Sequence, residues 1–250
     1  MKLGLCLAGG GAKGAFQAGV IYGLKERGIC KYDAIAGTSI GAINGYYIYT
    51  ENVNKLREMW INIQLTVENG IKIVNNTVDN SYAIDALKHL NNYNTGKLTY
   101  YVNYVDVNDS KLSEQIVDIS KESYENGLLY IKYSSLLPFM IPNGMSLSEQ
   151  FKAFVKSGIY NGYKLDGGLV NNTLIKPLIE EKMDKIILIT MKHDYEIPED
   201  IKEIYNENNI IVIRPKTIFE KNDTLRFEGE FCKKIFNEGY EIAKNMNISM

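Results

Sequence analysis

A serine stands between two glycines in Gly37-Thr38-Ser39-Ile40-Gly41. Residues 32–36 read as a short buried strand before it, and residues 42–49 as a helix that opens with small side chains. A strand-to-helix turn this sharp leaves no room for side chains beside the serine, which explains glycine at both 37 and 41. The turn presents the hydroxyl above a helix N-terminus, where free N–H groups and the helix dipole favour a developing negative charge. The chemistry is attack on a carbonyl carbon. It requires a base, because a serine hydroxyl is a weak nucleophile until its proton is taken.

The sequence holds two histidines, His89 and His193. His89 falls in a polar helix. His193 comes late in the chain, as the histidine of a Ser-acid-His triad does, but reads as a loop residue at a strand end. Asp166-Gly167-Gly168 supports two readings: an ordinary Asp-Gly turn, or a carboxylate aimed at a cleft by a backbone that bends just after a strand. The residues alone leave both open.

Upstream lies Gly9-Gly10-Gly11-Ala12-Lys13-Gly14. It spells the Gly-x-Gly-x-x-Gly of dinucleotide-binding turns, with Asp33 farther on. The acid of that fingerprint should end the second strand, whereas Asp33 begins it and Ser39 occupies the place where the strand stops. A phosphate-binding P-loop is excluded, because Lys13 is followed by Gly14 rather than Ser or Thr.

Three motifs in this order, the glycine loop, Gly37-Thr38-Ser39-Ile40-Gly41 and Asp166-Gly167-Gly168, resemble the patatin-like phospholipases. Ser134-Ser135-Leu136-Leu137-Pro138 is similar to the family's Ala-Ser-x-x-x-Pro segment, with Ser134 replacing the usual alanine. Asp166 to Asn172 resembles the family's Asp-Gly-Gly and Asn-rich turn, and Leu225-Arg226-Phe227 with Gly239-Tyr240 its C-terminal helix signature. The resemblance implies a Ser–Asp dyad without histidine. Ser39 would be the nucleophile and Asp166 its base. Gly9, Gly10 and Gly11 would form the oxyanion loop, the N–H groups of Gly10 and Gly11 donating and Gly9 shaping the turn. Lys13, Gly14, Gly37, Gly41, Gly167 and Gly168 would support the motifs. Lys13 stands where many members carry arginine, keeping the charge without the planar fork; it is expected to brace the loop.

The elements that must position these residues follow from hydrophobic periodicity. Residues 3–7 read as a buried strand and 15–27 as a helix with Ala15, Gly19 and Gly23 on a close-packing face, ended by Gly28. With residues 32–36 they make a strand–helix–strand unit, so the two strands should be parallel neighbours, with both loops at the carboxyl edge of the sheet. Helices are expected at 52–63, 81–90 (capped by Asn80 or Ser81), 122–133 and 231–245. Further strands are expected at 97–107, 115–119, 185–191 and 209–213, the second turning at Asn108-Asp109-Ser110. Residues 68–80 read as a loop or cap. Residues 136–145 read as an apolar turn set by Pro138 and Pro142, or as a lip over the cleft. The expectation is a three-layer α/β/α fold with a mainly parallel central sheet, one domain over residues 1–250.

A net charge of −2 gives no basic field for nucleic acid. Cys6, Cys30 and Cys232 show no metal-ligand spacing and no disulfide framework. No stretch reaches the roughly 18 apolar residues of a membrane span, and the N-terminus reads as a strand rather than a signal peptide. The expected function is lipid acyl hydrolysis on a phospholipid, lysophospholipid or smaller acyl ester, without metal or organic cofactor. A cytoplasmic location and peripheral contact with membrane surfaces are expected. The rivals are an acyltransferase or thioesterase on the same dyad, and an inactive member that binds lipid or protein.

Overall fold

Along strand β1 (Leu3–Leu7) the side chains of Leu3, Leu5 and Leu7 enter one apolar cluster and Cys6 enters another. A strand buried on both faces this way belongs at the centre of an α/β sheet. The computed structural model describes residues 1–63, 71–91, 98–139 and 146–248. After β1 come a 3-10 turn at Gly11–Lys13, helix α1 (Gly14–Glu26), β2 (Ala34–Thr38), α2 (Ile40–Tyr49) and α3 (Val53–Ile61). Next are β3 (Ile73–Val74), β4 (Thr77–Val78), α4 (Ser81–Lys88), β5 (Thr99–Asn108), β6 (Lys111–Asp118), α5 (Tyr124–Ser134) and α6 (Leu147–Lys156). The chain continues through β7 (Lys164–Asp166), α7 (Lys176–Glu180), β8 (Lys185–Ile189), α8 (Glu199–Lys202), β9 (Ile210–Ile213) and α9 (Gly229–Asn245).

The main sheet runs β6-β5-β2-β1-β8-β9, and β7 also pairs with β5. Neighbours from β5 to β9 are parallel, while β6 and β7 join β5 antiparallel. One face is covered by α1, α2, α3 and α9 through residues such as Phe16, Ile43, Trp60 and Ile235; the other by Leu174, Leu178 and Ile201 from the α7 and α8 side. This is the three-layer α/β arrangement with a mainly parallel sheet that the motif order implied.

The expected elements are present with shifted bounds. The second strand is β2, Ala34–Thr38, two residues later than read; Asp33, just before it, donates its N–H to Leu3 O and accepts the Thr99 N–H, while its carboxylate accepts the Leu3 N–H at 2.8 Å. The hairpin turns at Asp109 and Ser110, both in the left-handed region (φ 50° and 59°), but β6 starts at Lys111, earlier than read. Exposed Lys111, Leu112 and Ser113 on that edge strand dilute its alternation. Residues 73–78 form a two-stranded hairpin rather than the loop read over 68–80; residues 68–70 lie outside the described residues. Asn80 sits at the N-cap of α4 but its amide donates to Lys132 O and to Ser135 Oγ; the Ser81 N–H donates to Asp79 Oδ1 instead. Of the apolar turn at 136–145, residues 140–145 lie outside the described residues. Helix α6 escaped the periodicity reading, although Ser146 and Glu149 form a full capping box at its start.

Helix α1 and helix α9 approach at backbone contact. A Cβ on Gly19 would collide with the Phe236 carbonyl, and one on Gly239 with the Phe16 carbonyl. Gly19→Ala therefore forces two helices apart, and chemical denaturation should record a loss of about 1–3 kcal/mol. An unchanged midpoint would mean that this contact does not set the packing.

Candidate active site

Strand β5 lies beside two strands that meet end to end on one of its edges. From one direction β2 pairs with it in parallel, ending with Thr38 opposite Asn103; from the other β7 pairs antiparallel, ending with Asp166 opposite Tyr104. Because Asn103 and Tyr104 are consecutive, Ser39 and Asp166 are brought to the same point from opposite directions.

Ser39 turns the chain from β2 into α2 with φ 57° and ψ −125°, a conformation rarely held by a residue with a side chain. It is fixed by its surroundings. A Cβ on Gly37 would lie 2.7 Å from the Gly41 carbonyl, and one on Gly41 would collide with the Leu7 carbonyl at the end of β1. The Ser39 N–H donates to Ser134 Oγ at 2.9 Å. A Cβ on Gly14 would collide with Ile40, so the first turns of α1 and α2 also press together.

The Ser39 hydroxyl donates to Asp166 Oδ2 at 2.5 Å. The other carboxylate oxygen, Oδ1, accepts the Gly168 N–H at 2.8 Å, and the Asp166 N–H donates to Leu136 O at 2.9 Å. Gly167 packs against Asn103 and Gly168 against Asn172, so neither position has space for a Cβ. Asp166 is 3% exposed. Burial pushes its carboxyl up to about 6, against the opposing hydrogen bonds from Ser39 and Gly168. At neutral pH it is still ionised, yet far more basic than an exposed aspartate.

The glycine loop lies across this pair. Ala8 N–H donates to Ile189 O and Gly9 N–H to Asn172 O, while Asn172 Nδ2 returns a bond to Gly9 O at 3.2 Å. A Cβ on Gly9 would collide with Asn172 and lie 3.1 Å from the Ser39 Cβ. Gly11 holds φ 58° under the Thr224 carbonyl. The N–H groups of Gly10 and Gly11 have no acceptor among the described residues. Lys13 N–H closes the turn on Gly10 O; burial lowers its ammonium pKa, and the Asp223 charge opposes that shift.

These groups line a cavity of about 480 Å³. Ser39, Asp166, Gly9, Gly10, Gly11 and Lys13 form its polar end. Ile40, Ile43, Ile63, Ile71, Val78, Leu137, Leu169, Leu225 and Phe227 make most of the remainder apolar, with Lys72, Asp79, Asn80 and Ser135 among them. Neither histidine lines it: His89 is exposed, and His193 is on the surface with Nδ1 3.8 Å from Asp194. Asp33 is tied to the first residue of β1, at the opposite end of the strands from Ser39.

Several residues that the motifs do not mark hold the site together. Asn103 accepts from the Thr38 hydroxyl at 2.8 Å and donates to Asn171 O at 2.9 Å. Gln17 Nε2 donates to Ala8 O, Asn44 Nδ2 to Gly14 O and Gln17 Oε1, and Trp60 Nε1 to Asn44 Oδ1. This buried chain fixes both ends of the glycine loop. Its only sequence signal is a polar residue in each of two otherwise apolar helices.

The patatin-like phospholipase family model matches residues 5–179. Among curated proteins, lysophospholipase nte1 of Aspergillus terreus is 60% identical over 44 residues, 18% of this chain and 3% of that protein. Lysophospholipase NTE1 of Cryptococcus neoformans is 25% identical over 200 residues, 75% of this chain and 11% of that protein. The chain thus matches about a tenth of the length of these relatives, or less. Among solved structures, VipD from Legionella pneumophila superposes with a TM-score of 0.51 at 12% identity, over 96% of this chain and 65% of that one. The type III effector ExoU superposes with a TM-score of 0.50 at 11% identity, over 97% and 52%. At such identities the likeness is one of fold. With a family match across well over half of its length, joined to this arrangement of motifs, the chain belongs to the patatin-like phospholipases.

Proposed function

We propose that the protein is a serine hydrolase of lipid acyl esters that uses a Ser39–Asp166 dyad and passes through an acyl-enzyme. The observation that carries this reading is the 2.5 Å bond from the Ser39 hydroxyl to a buried carboxylate at the polar end of an apolar cavity. The two curated relatives are named lysophospholipases, which favours a single-chain phospholipid as substrate. The cavity lining runs from Gly9 to Phe227, which supports one catalytic domain. No helix among the described residues is long and apolar enough to cross a membrane.

The steps follow from the geometry. Asp166 Oδ2 takes the hydroxyl proton as Ser39 Oγ bonds to the ester carbonyl carbon. The carbonyl oxygen becomes an oxyanion, stabilised by the free N–H groups of Gly10 and Gly11 and by the N-terminus of α2. The tetrahedral centre collapses as Asp166 returns its proton to the departing alkoxide, leaving an acyl ester on Ser39. Water then attacks that ester, giving a proton to Asp166, and Ser39 leaves with the proton restored. A base desolvated to about 6 suits this exchange near neutral pH, since it is ionised before the attack and acidic enough to give the proton up.

Release of fatty acid from lysophosphatidylcholine should fall by about 10³-fold or more in Ser39→Ala and in Asp166→Asn, with the fold retained. Near-wild-type turnover in Asp166→Asn would overturn the dyad. In the wild type, kcat/KM should rise with pH through about 6 and then level, because only the carboxylate accepts the proton.

The same shift makes a stability prediction. A carboxyl whose folded pKa exceeds its unfolded value near 3.9 favours folding when protonated, and that advantage is lost as pH rises through about 6. Asp166→Asn removes the cost of the buried charge, so at pH 7 the variant should be more stable than the wild type by about 2–3 kcal/mol in chemical denaturation. The difference should vanish below pH of about 4. Equal stability at both pH values would contradict the desolvated carboxylate.

A further inference from the structure

The β3–β4 hairpin is built the opposite way from a soluble surface hairpin. Its inner strand is held to the body: Val78 N–H donates to Leu137 O, Phe139 N–H to Asn76 O, and Thr77 bridges Pro138. Tyr160 Oη also donates to Asn76 O at 3.0 Å. The turn residues Asn75 and Asn76 are both left-handed, φ 48° and 59°, as a tight two-residue hairpin requires. Thr77, a polar residue, is buried, whereas Ile71, Ile73 and Val74 are 37%, 38% and 39% exposed. Apolar side chains thus face solvent on a short edge strand, where soluble proteins usually place charge.

The hairpin and the residues leading into it form a wall of the cavity that holds Ser39 and Asp166: Ile71, Lys72, Val78 and the 59% exposed Tyr82 all line it. Apolar side chains, interrupted only by the paired Lys72 and Asp79, therefore lead from the outside of the hairpin to the acyl-binding interior. The hairpin also carries no net charge, because its Lys72 ammonium lies 3.6 Å from the Asp79 carboxylate. What singles out a lipid surface as the occupant is the position of the hairpin: its exposed apolar side chains adjoin the mouth of an apolar cavity that has Ser39 at its far end, so a surface that supplies acyl chains fits both.

We propose that the β3–β4 hairpin is the element that docks the protein on a lipid bilayer, sinking Ile73 and Val74 into the interface so that the cavity mouth opens toward the acyl chains. This rests on the lipid hydrolase reading for its purpose, though the docking is separately measurable. A lipid drawn out of the bilayer then moves along Ile71 and Val78 toward Ser39 without its chain crossing water.

The test is co-sedimentation with neutral phosphatidylcholine vesicles, together with turnover of a water-soluble short-chain ester. Ile73→Glu/Val74→Glu should bind the vesicles at least about 10-fold more weakly than wild type, since each charge must enter the interface or hold the hairpin off it. Its turnover of the soluble ester, which needs no docking and reports an intact fold, should stay within about twofold of wild type. A second measurement does not depend on that double variant. Val74→Trp adds an exposed indole to a chain whose single native tryptophan, Trp60, is buried, so its emission should shift to the blue on vesicle addition. Equal vesicle binding by the charged variant, or no shift in Val74→Trp, would overturn the proposal. Vesicle binding through the hairpin without any ester turnover would leave the docking standing and overturn the hydrolase; soluble-ester turnover without vesicle binding would do the reverse.

Discussion

Two strands cannot occupy the same stretch of a third strand's edge, and that exclusion brings Ser39 and Asp166 together. Strand β2 uses β5 as far as Asn103 and β7 uses it from Tyr104 onward, so the chain must leave the sheet at Ser39 on one side and at Asp166 on the other. The end of α5 ties both exits. Ser134 Oγ accepts the Ser39 N–H and Leu136 O accepts the Asp166 N–H, two anchors two residues apart. Neither partner of the 2.5 Å bond can drift without breaking a second bond to the same segment. This restraint holds Ser39 in a backbone conformation that isolated residues avoid.

The carboxylate is costly in this position, and its surroundings show how the cost is contained. Asp166 keeps one oxygen on Ser39 and the other on the Gly168 N–H, so the buried charge has a partner on each side. Close backbone approach packs the loops around it. Gly9, Gly167 and Gly168 each admit a neighbouring asparagine where a Cβ would stand, and those asparagines satisfy backbone groups of the loops. Behind the glycine loop, the Gln17–Asn44–Trp60 chain leaves its buried amides paired; losing one member would strand the others in a low-dielectric interior.

Much of this was legible in the sequence because backbone constraints are written locally. Glycines 37 and 41 announce a turn without room, and the run at 9–11 announces a loop pressed against something. The apolar run of residues 3–7 announces a buried strand. The ordered motifs then fix which loops share an edge. Long-range pairing was not legible. Nothing in Lys164-Leu165-Asp166 reveals that it runs antiparallel to β5, head-on to β2, since that depends on residues 60 positions away. Asn103 lies within a strand of tyrosines and valines, and its partners come from Thr38 and Asn171. Ser134, noted only as a departure from alanine, gains its meaning from a backbone N–H of Ser39, 95 positions earlier. Helix α6 carried a readable cap and apolar residues at helical spacing, Leu147, Phe151, Phe154 and Val155, so its signal was present in the sequence.

The central claim is that Asp166, poised by burial, activates Ser39. The most direct measurement is the rate of covalent labelling by a fluorophosphonate as a function of pH, with the modified peptide located by mass. The account predicts an adduct on Ser39 whose rate of formation rises through pH of about 6 in the wild type and is lost in Asp166→Asn. An adduct on another serine, no adduct on the folded protein, or a rate in Asp166→Asn that follows the wild type would contradict it.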